Sequence, residues 1–154
     1  MDIESIVDEQ CSPEQLQEAE KAYHEQKARG GESDRVVFSY AHCLIRSNKT
    51  DVRKGVALLE GLLQQGEKTT YTRDFLLYLA MAHTRLKDYD KALTYLQILR
   101  KHEPGNLQAA ELAALVEKRM KRDGLLGGLI LGGGLLAGGL AAIGMGIFAA
   151  SRRS

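Results

Sequence analysis

The chain has 154 residues, with 21 Lys and Arg against 20 Asp and Glu and a formal net charge of +1. That balance argues against a basic nucleic-acid arm and an acidic solvating tail, and two cysteines, Cys11 and Cys43, are too few for a disulfide framework. All 20 acids and 19 of the 21 bases lie at or before Asp123, so a uniformly soluble single-core protein is excluded.

In chain order, the first unit is a short arm, residues 1–11, with Ile3, Ile6 and Val7 set among Asp2, Glu4, Asp8 and Glu9. It lacks the basic region and apolar run of a signal peptide. Its three apolar residues are placed to fill a groove of the same chain and compete with a partner.

From Ser12 to Asp123 the periodicity is helical, and no run reads as a strand. Ser12-Pro13-Glu14-Gln15 supplies an N-cap, a proline at the first helical position and a glutamine that closes a capping box. Leu16, Ala19 and Tyr23 share a face of this helix, and Gly30-Gly31 stops it. A second helix carries Val37, Tyr40, Ala41 and Leu44, and a third carries Val56, Leu59, Leu62 and Leu63 and ends at Gly66. Three more are expected over Arg73 to Leu86, Tyr89 to Lys101 and Asn106 to Arg122. The first of these is apolar around most of its circumference, from Phe75 to Ala82, which is more than one-sided packing needs and implies a partner.

Two helix pairs repeat. Phe38-Ser39-Tyr40-Ala41 to Arg46, Asp51, Lys54-Gly55 and Leu59 align with Leu77-Tyr78-Leu79-Ala80 to Arg85, Asp88, Lys91-Ala92 and Leu96. The spacing of Leu79, Ala80, Leu86, Tyr89, Ala92, Leu96 and Pro104 follows the tetratricopeptide pattern, in which small residues permit close helix crossing. Such units must stack to bury their apolar faces, and the first helix of each pair lines a concave face that grips peptides or helices. Two stripes compete for that face: Phe38, His42 and Ile45 with Leu77, Met81 and Arg85, or Tyr40 and Leu44 with Tyr78 and Leu79. The candidate groove residues, drawn from both, are Tyr40, Leu44, Leu77, Tyr78, Leu79, Met81 and Arg85.

Leu125 to Ala150 holds 26 residues without charge, amide or proline. As a helix it would be about 39 Å long, enough to cross a hydrocarbon core of about 30 Å once. Nine glycines would destabilise a water-soluble helix, whereas lipid leaves helix as the only single-segment solution. Lys121 and Arg122 before the span and Arg152 and Arg153 after it form a basic targeting flank. The expected organisation is an arm (1–11), a cytosolic helical domain (12–123), a transmembrane tail anchor (124–150) and a basic tip (151–154). Small residues at every fourth position would allow weak self-association of the span.

Catalytic chemistry finds no foothold. His42 and Cys43 are neighbours on one helix and point about 100° apart. His24, His83 and His102 lack metal-ligand spacing, and the glycine-rich run lies in the span rather than in a phosphate loop. The sequence therefore calls for no metal, cofactor, nucleic acid or small-molecule substrate.

Phe38 to Ser47, Asp51 to Glu60, Tyr78-Leu79-Ala80, Arg85 to Leu93 and Lys121 to Leu125, taken together, resemble the mitochondrial fission 1 protein family over nearly the whole chain. The resemblance implies an all-α six-helix bundle with two tetratricopeptide-like repeats and one C-terminal transmembrane helix. It implies a place on the mitochondrial outer membrane, facing the cytosol, and on peroxisomes. It also implies an adaptor that helps recruit a dynamin-related GTPase, directly or through adaptor proteins, and it sets Tyr40, Leu44, Leu79 and Arg85 on or beside the concave surface. Two departures stand out: His42 replaces the tryptophan of relatives, and the linker Ser47 to Thr50 is shorter than in vertebrate relatives and lacks their tyrosine. The competing readings are a tetratricopeptide receptor for chaperones on the outer membrane, and a protein whose span itself remodels lipid.

Overall fold

The computed structural model describes residues 2–31, 33–65 and 71–124. The proposed span at 125–150, the bases Arg152 and Arg153, and Gly66 lie outside them. Among the described residues there are seven helices and no strand: α1 (Ile3–Asp8), α2 (Pro13–Ala28), α3 (Asp34–Leu44), α4 (Lys49–Gln64), α5 (Thr72–Arg85), α6 (Tyr89–His102) and α7 (Leu107–Arg122). No helix among them is long and apolar enough to cross a membrane. The six helices expected between Ser12 and Asp123 are all present, and the arm adds a seventh. Its turn starts where the Asp2 carboxylate accepts the Ser5 N–H at 2.8 Å.

The capping box at Ser12 forms as the sequence predicts. The Gln15 N–H donates to Ser12 Oγ at 3.1 Å, and the Ser12 N–H donates back to Gln15 Oε1 at 3.2 Å. Gly30 ends this helix in the left-handed region, φ 79°, which a glycine adopts at little cost. The α5–α6 corner solves the same problem with a lysine. Lys87 sits at φ 61°, its N–H donates to the Thr84 carbonyl, and the Asp88 N–H donates to that of His83 at 2.9 Å. These are the two bonds of a Schellman cap, built here at the cost of backbone strain of about 1 kcal/mol.

Successive helices pack on one another from α2 to α7, and α1 then returns to lie against α5 and α7. α3 with α4 and α5 with α6 are the two repeated pairs. Their close crossings rest on the small residues of the repeat: Gly55 is buried against α3, where Ile45, Leu44 and the Ala41 carbonyl surround it, and its counterpart Ala92 is fully buried. Nine of the 14 residues of α5 are buried. The wide apolar circumference that suggested an external partner is thus covered by the chain itself, because α4, α6, α7 and the arm all pack on this helix. Its burial supplies a large part of the core's hydrophobic stabilisation, at about 25 cal/mol per Å² of apolar surface.

Candidate functional site

The competing stripes resolve into a mixture of both. Tyr40, Leu44 and Leu79 are core residues, 1%, 2% and 0% exposed. Ile45, Leu77 and Met81 are buried as well. Of the groove residues named from the sequence, only Tyr78 and Arg85 remain half-exposed. Tyr40 is held by α2 and α4: its ring lies 4.9 Å from that of Tyr23, and Lys54 Nζ stands 5.5 Å above it. It supports the face from behind.

What α3 and α5 present at their junction is an aromatic cluster. Phe38 and His42, one turn apart on α3, are stacked with centroids 5.9 Å apart and planes 7° from parallel. Tyr78 of α5 meets Phe38 edge-on at 5.5 Å and His42 edge-on at 4.7 Å. All three rings are half-buried, and Phe38 and Tyr78 pack against the hydrophobic core. Rings of this kind offer large contact area with few rotors to immobilise, the usual chemistry of a protein-binding anchor. Burial, reinforced by the Arg46 guanidinium, lowers the pKa of His42 to about 4, so the imidazole is neutral at physiological pH and serves as an aromatic surface. Cys43 leaves the helix in another direction, with its Sγ 4.0 Å from the Gln15 carbonyl and 3.9 Å from Arg46 Nη2. His42 and Cys43 therefore form no nucleophile and base pair.

Beside this cluster the arm is docked. Val7 is 1% exposed, and Ile3 and Ile6 are half-buried against the same core. Three arginines hold the arm by its backbone and acids. Arg85 Nη1 donates to the carbonyls of Val7 at 2.8 Å and Glu9 at 3.1 Å, while its Nη2 donates to that of Ser47 at 3.1 Å. Arg46 Nη1 lies 3.4 Å from the Glu9 carboxylate, and its carbonyl accepts the Cys11 N–H at 2.9 Å. Arg119 Nη2 donates to both carboxylate oxygens of Asp8, at 3.0 and 2.9 Å. Such charge-assisted bonds contribute about 1.5–3 kcal/mol each when shielded from water. Burial lowers the Arg85 pKa; the nearby Asp8 opposes this, and the positive charges of Arg119 and Arg46 add to it.

Sequence reasoning singled out Arg85 but missed Arg46 and Arg119. For Arg119 a signal existed: it stands on α7 in register with Leu112, Leu115, Val116 and Met120, a charge on an otherwise buried stripe. The flank residues Lys121 and Arg122 are exposed, and Arg122 Nε reaches Asp123 at 3.2 Å. Among the described residues no group of three His, Cys, Asp or Glu stands close enough to hold a metal ion.

Comparison with known proteins places these features in a family. Residues 36–66 match the family model of the Fis1 N-terminal tetratricopeptide repeat, and residues 73–125 that of the Fis1 C-terminal tetratricopeptide repeat. The chain is 46% identical over 126 residues to the mitochondrial fission 1 protein of Homo sapiens, covering 81% of this chain and 82% of the relative. It is 43% identical to the FIS1-related protein fis-2 of Caenorhabditis elegans, over 84% of this chain and 87% of the relative. The crystal structure of Fis1 from Saccharomyces cerevisiae is similar with a TM-score of 0.70 and 25% identity, covering 82% of this chain and 95% of that one. A crystal structure of yeast Fis1 in complex with an Mdv1 fragment is similar with a TM-score of 0.70 and 26% identity, covering 80% of this chain and 95% of the other. An all-helical fold with both repeats matched, and relatives at this identity over four-fifths of the length, make the chain a member of the mitochondrial fission 1 protein family.

Proposed function

We propose that this chain is a fission adaptor: its helical head receives a partner protein, and its apolar segment at 125–150 attaches that head to the mitochondrial outer membrane and to peroxisomes. The partner is a dynamin-related GTPase or an adaptor protein that binds one, and the head performs no reaction itself. The observation that carries the reading is the half-exposed cluster of Phe38, His42 and Tyr78 beside a docked arm. The family's names speak of mitochondrial fission, and the yeast relative was crystallised with a fragment of Mdv1 containing an N-terminal extension and coiled-coil domains. Tyr78 and Arg85 are the recognition residues in this reading. Tyr40, Leu44, Leu77, Leu79 and Met81 act through the core, and Ile3, Ile6 and Val7 hold the arm where it competes with the partner.

The test is capture of a dynamin-related GTPase, or of a coiled-coil adaptor fragment, by the full-length chain in detergent. Tyr78→Ala should abolish capture while leaving the helical circular dichroism intact, and removal of residues 1–10 should strengthen it. Unchanged capture by Tyr78→Ala, with arm removal also without effect, would refute the aromatic face as the docking site. Recovery of the full-length chain in the soluble fraction of lysed cells would refute the membrane attachment.

A further inference from the structure

A cavity of about 300 Å³ opens between the arm, the α3–α4 linker, the α5–α6 corner and the end of α7. Its charged lining is one-sided. Lys49, Arg85, Lys87, Arg119 and Arg122 face it against the single carboxylate of Asp8, in a chain whose overall charge is only +1. Part of this charge is already committed. Asp8 takes Nη2 of Arg119, Arg85 is spent on three carbonyls, and Arg122 pairs with Asp123. Lys49 and Lys87 form no ion pair among the described residues. Arg119 is 8% exposed, and its Nε–H has no hydrogen-bond partner. A buried guanidinium left short of an acceptor is costly unless something supplies one. Lys87 is presented at this wall by the strained left-handed corner, where a glycine would sit without strain.

From this cavity we infer a binding site for a phosphoryl group, as a phosphate monoester or free phosphate, held by Lys49, Lys87 and Arg119, with the arm's Asp8 as its competitor. A monocarboxylate would bring one charge and two oxygens. A phosphate monoester brings up to two charges and three oxygens, which suits several converging cations including an arginine fork. The cavity also lies at the end of α7, and the 26-residue apolar run begins at Leu125, three residues after Arg122. The phosphoryl group can therefore come from solution or from a lipid headgroup beside that run. Because Asp8 and the ligand share Arg119, occupancy of the cavity loosens the arm's hold on the bundle.

The experiment titrates the full-length chain in uncharged detergent with inorganic phosphate and with glycerol phosphate. Chloride keeps the ionic strength constant, and the signals followed are the Lys87 amide and the Arg119 side chain by nuclear magnetic resonance. Saturable shifts at both are expected. Lys49→Ala with Lys87→Gly should weaken binding about a hundredfold, taking about tenfold per cation removed. Glycine relieves the strained corner, so this variant keeps its fold. Asp8→Asn should strengthen binding several-fold, an effect that a purely structural role for these residues would not produce. A second arm reconstitutes the chain in nanodiscs of phosphatidylcholine with or without phosphatidic acid. Shifts that appear with phosphatidic acid and not with soluble phosphate assign the ligand to the headgroup, and shifts with soluble phosphate alone assign it to solution. No saturable shift in either arm, or equal binding by wild type and the Lys49/Lys87 variant, overturns the proposal.

Discussion

Replacing Gly55 by alanine would place a methyl group 2.7 Å from Ile45 Cγ2, 3.1 Å from Leu44 Cβ and 3.1 Å from the Ala41 carbonyl oxygen. Ile45 and Leu44 are each 2% exposed and the carbonyl belongs to the α3 backbone, so the crowded atoms have little room to move. Overpacking of this kind costs about 1–3 kcal/mol. The same substitution gains about 1 kcal/mol in helix propensity. A matched control separates the two effects, because Gly61 lies on the same helix and an added Cβ there meets nothing within 4 Å. Gly61→Ala should therefore stabilise by about the propensity gain, and Gly55→Ala should fall below it by about 1–3 kcal/mol. At about 2–4 °C per kcal/mol for a chain of this size, the two melting temperatures should differ by about 2–12 °C. The assay is thermal and urea unfolding of both variants, followed by helical circular dichroism. Equal stabilisation by the two alanines would refute the close α3–α4 crossing and, with it, the packing reason for a small residue at this point of the repeat.

Four further outcomes are expected. His42 is favoured neutral in the fold, with a pKa lowered from 6.5 to about 4, so the unfolded chain binds the extra proton between those values. Stability should fall as pH drops through that window, by at most about 3 kcal/mol, and urea titrations of His42→Phe should show a shallower loss. His83, whose pKa burial also lowers, contributes with the same sign, so the two chains are compared with each other across the window. Val7→Ala removes two methyl groups from a side chain that is 1% exposed and should weaken arm docking by about 1.5–2.5 kcal/mol, read as faster amide exchange over residues 3–8 with the exchange of α6 unchanged. Arg85→Met keeps the apolar stem and removes three carbonyl bonds; the same amides should lose protection while the global melting temperature shifts less than it does in Leu79→Ala, which should cost about 2–5 kcal/mol. Ser12→Ala removes the capping box and should cost about 1 kcal/mol in urea unfolding, with fraying confined to the first turn of α2.

Local signals and tertiary decisions divide cleanly along this chain. The start of α2 was legible because a serine, a proline and a glutamine within four residues satisfy orphan N–H groups without help from elsewhere. The Gly30 stop and the small residues at Gly55 and Ala92 were legible for the same reason: each is a steric requirement met within a few residues or within one helix pair. Apolar content without charge sets 125–150 apart in the sequence as an expected span, and that segment lies outside the described residues. The choice of surface was another matter. Helical periodicity shows that α3 and α5 each carry wide apolar arcs, but it does not count the neighbours that cover them. Tyr40, Leu44 and Leu79 went to the core because α2, α4 and α6 close over those arcs, leaving Phe38, His42 and Tyr78 at the uncovered seam. The arm's place was decided in the same way. Its three apolar residues announce that it wants a groove, yet the arginines that hold it come from positions 46, 85 and 119, up to 111 residues away along the chain. Contacts at such separation depend on how six connections turn the helices back on one another, and that geometry exists only once the bundle is closed.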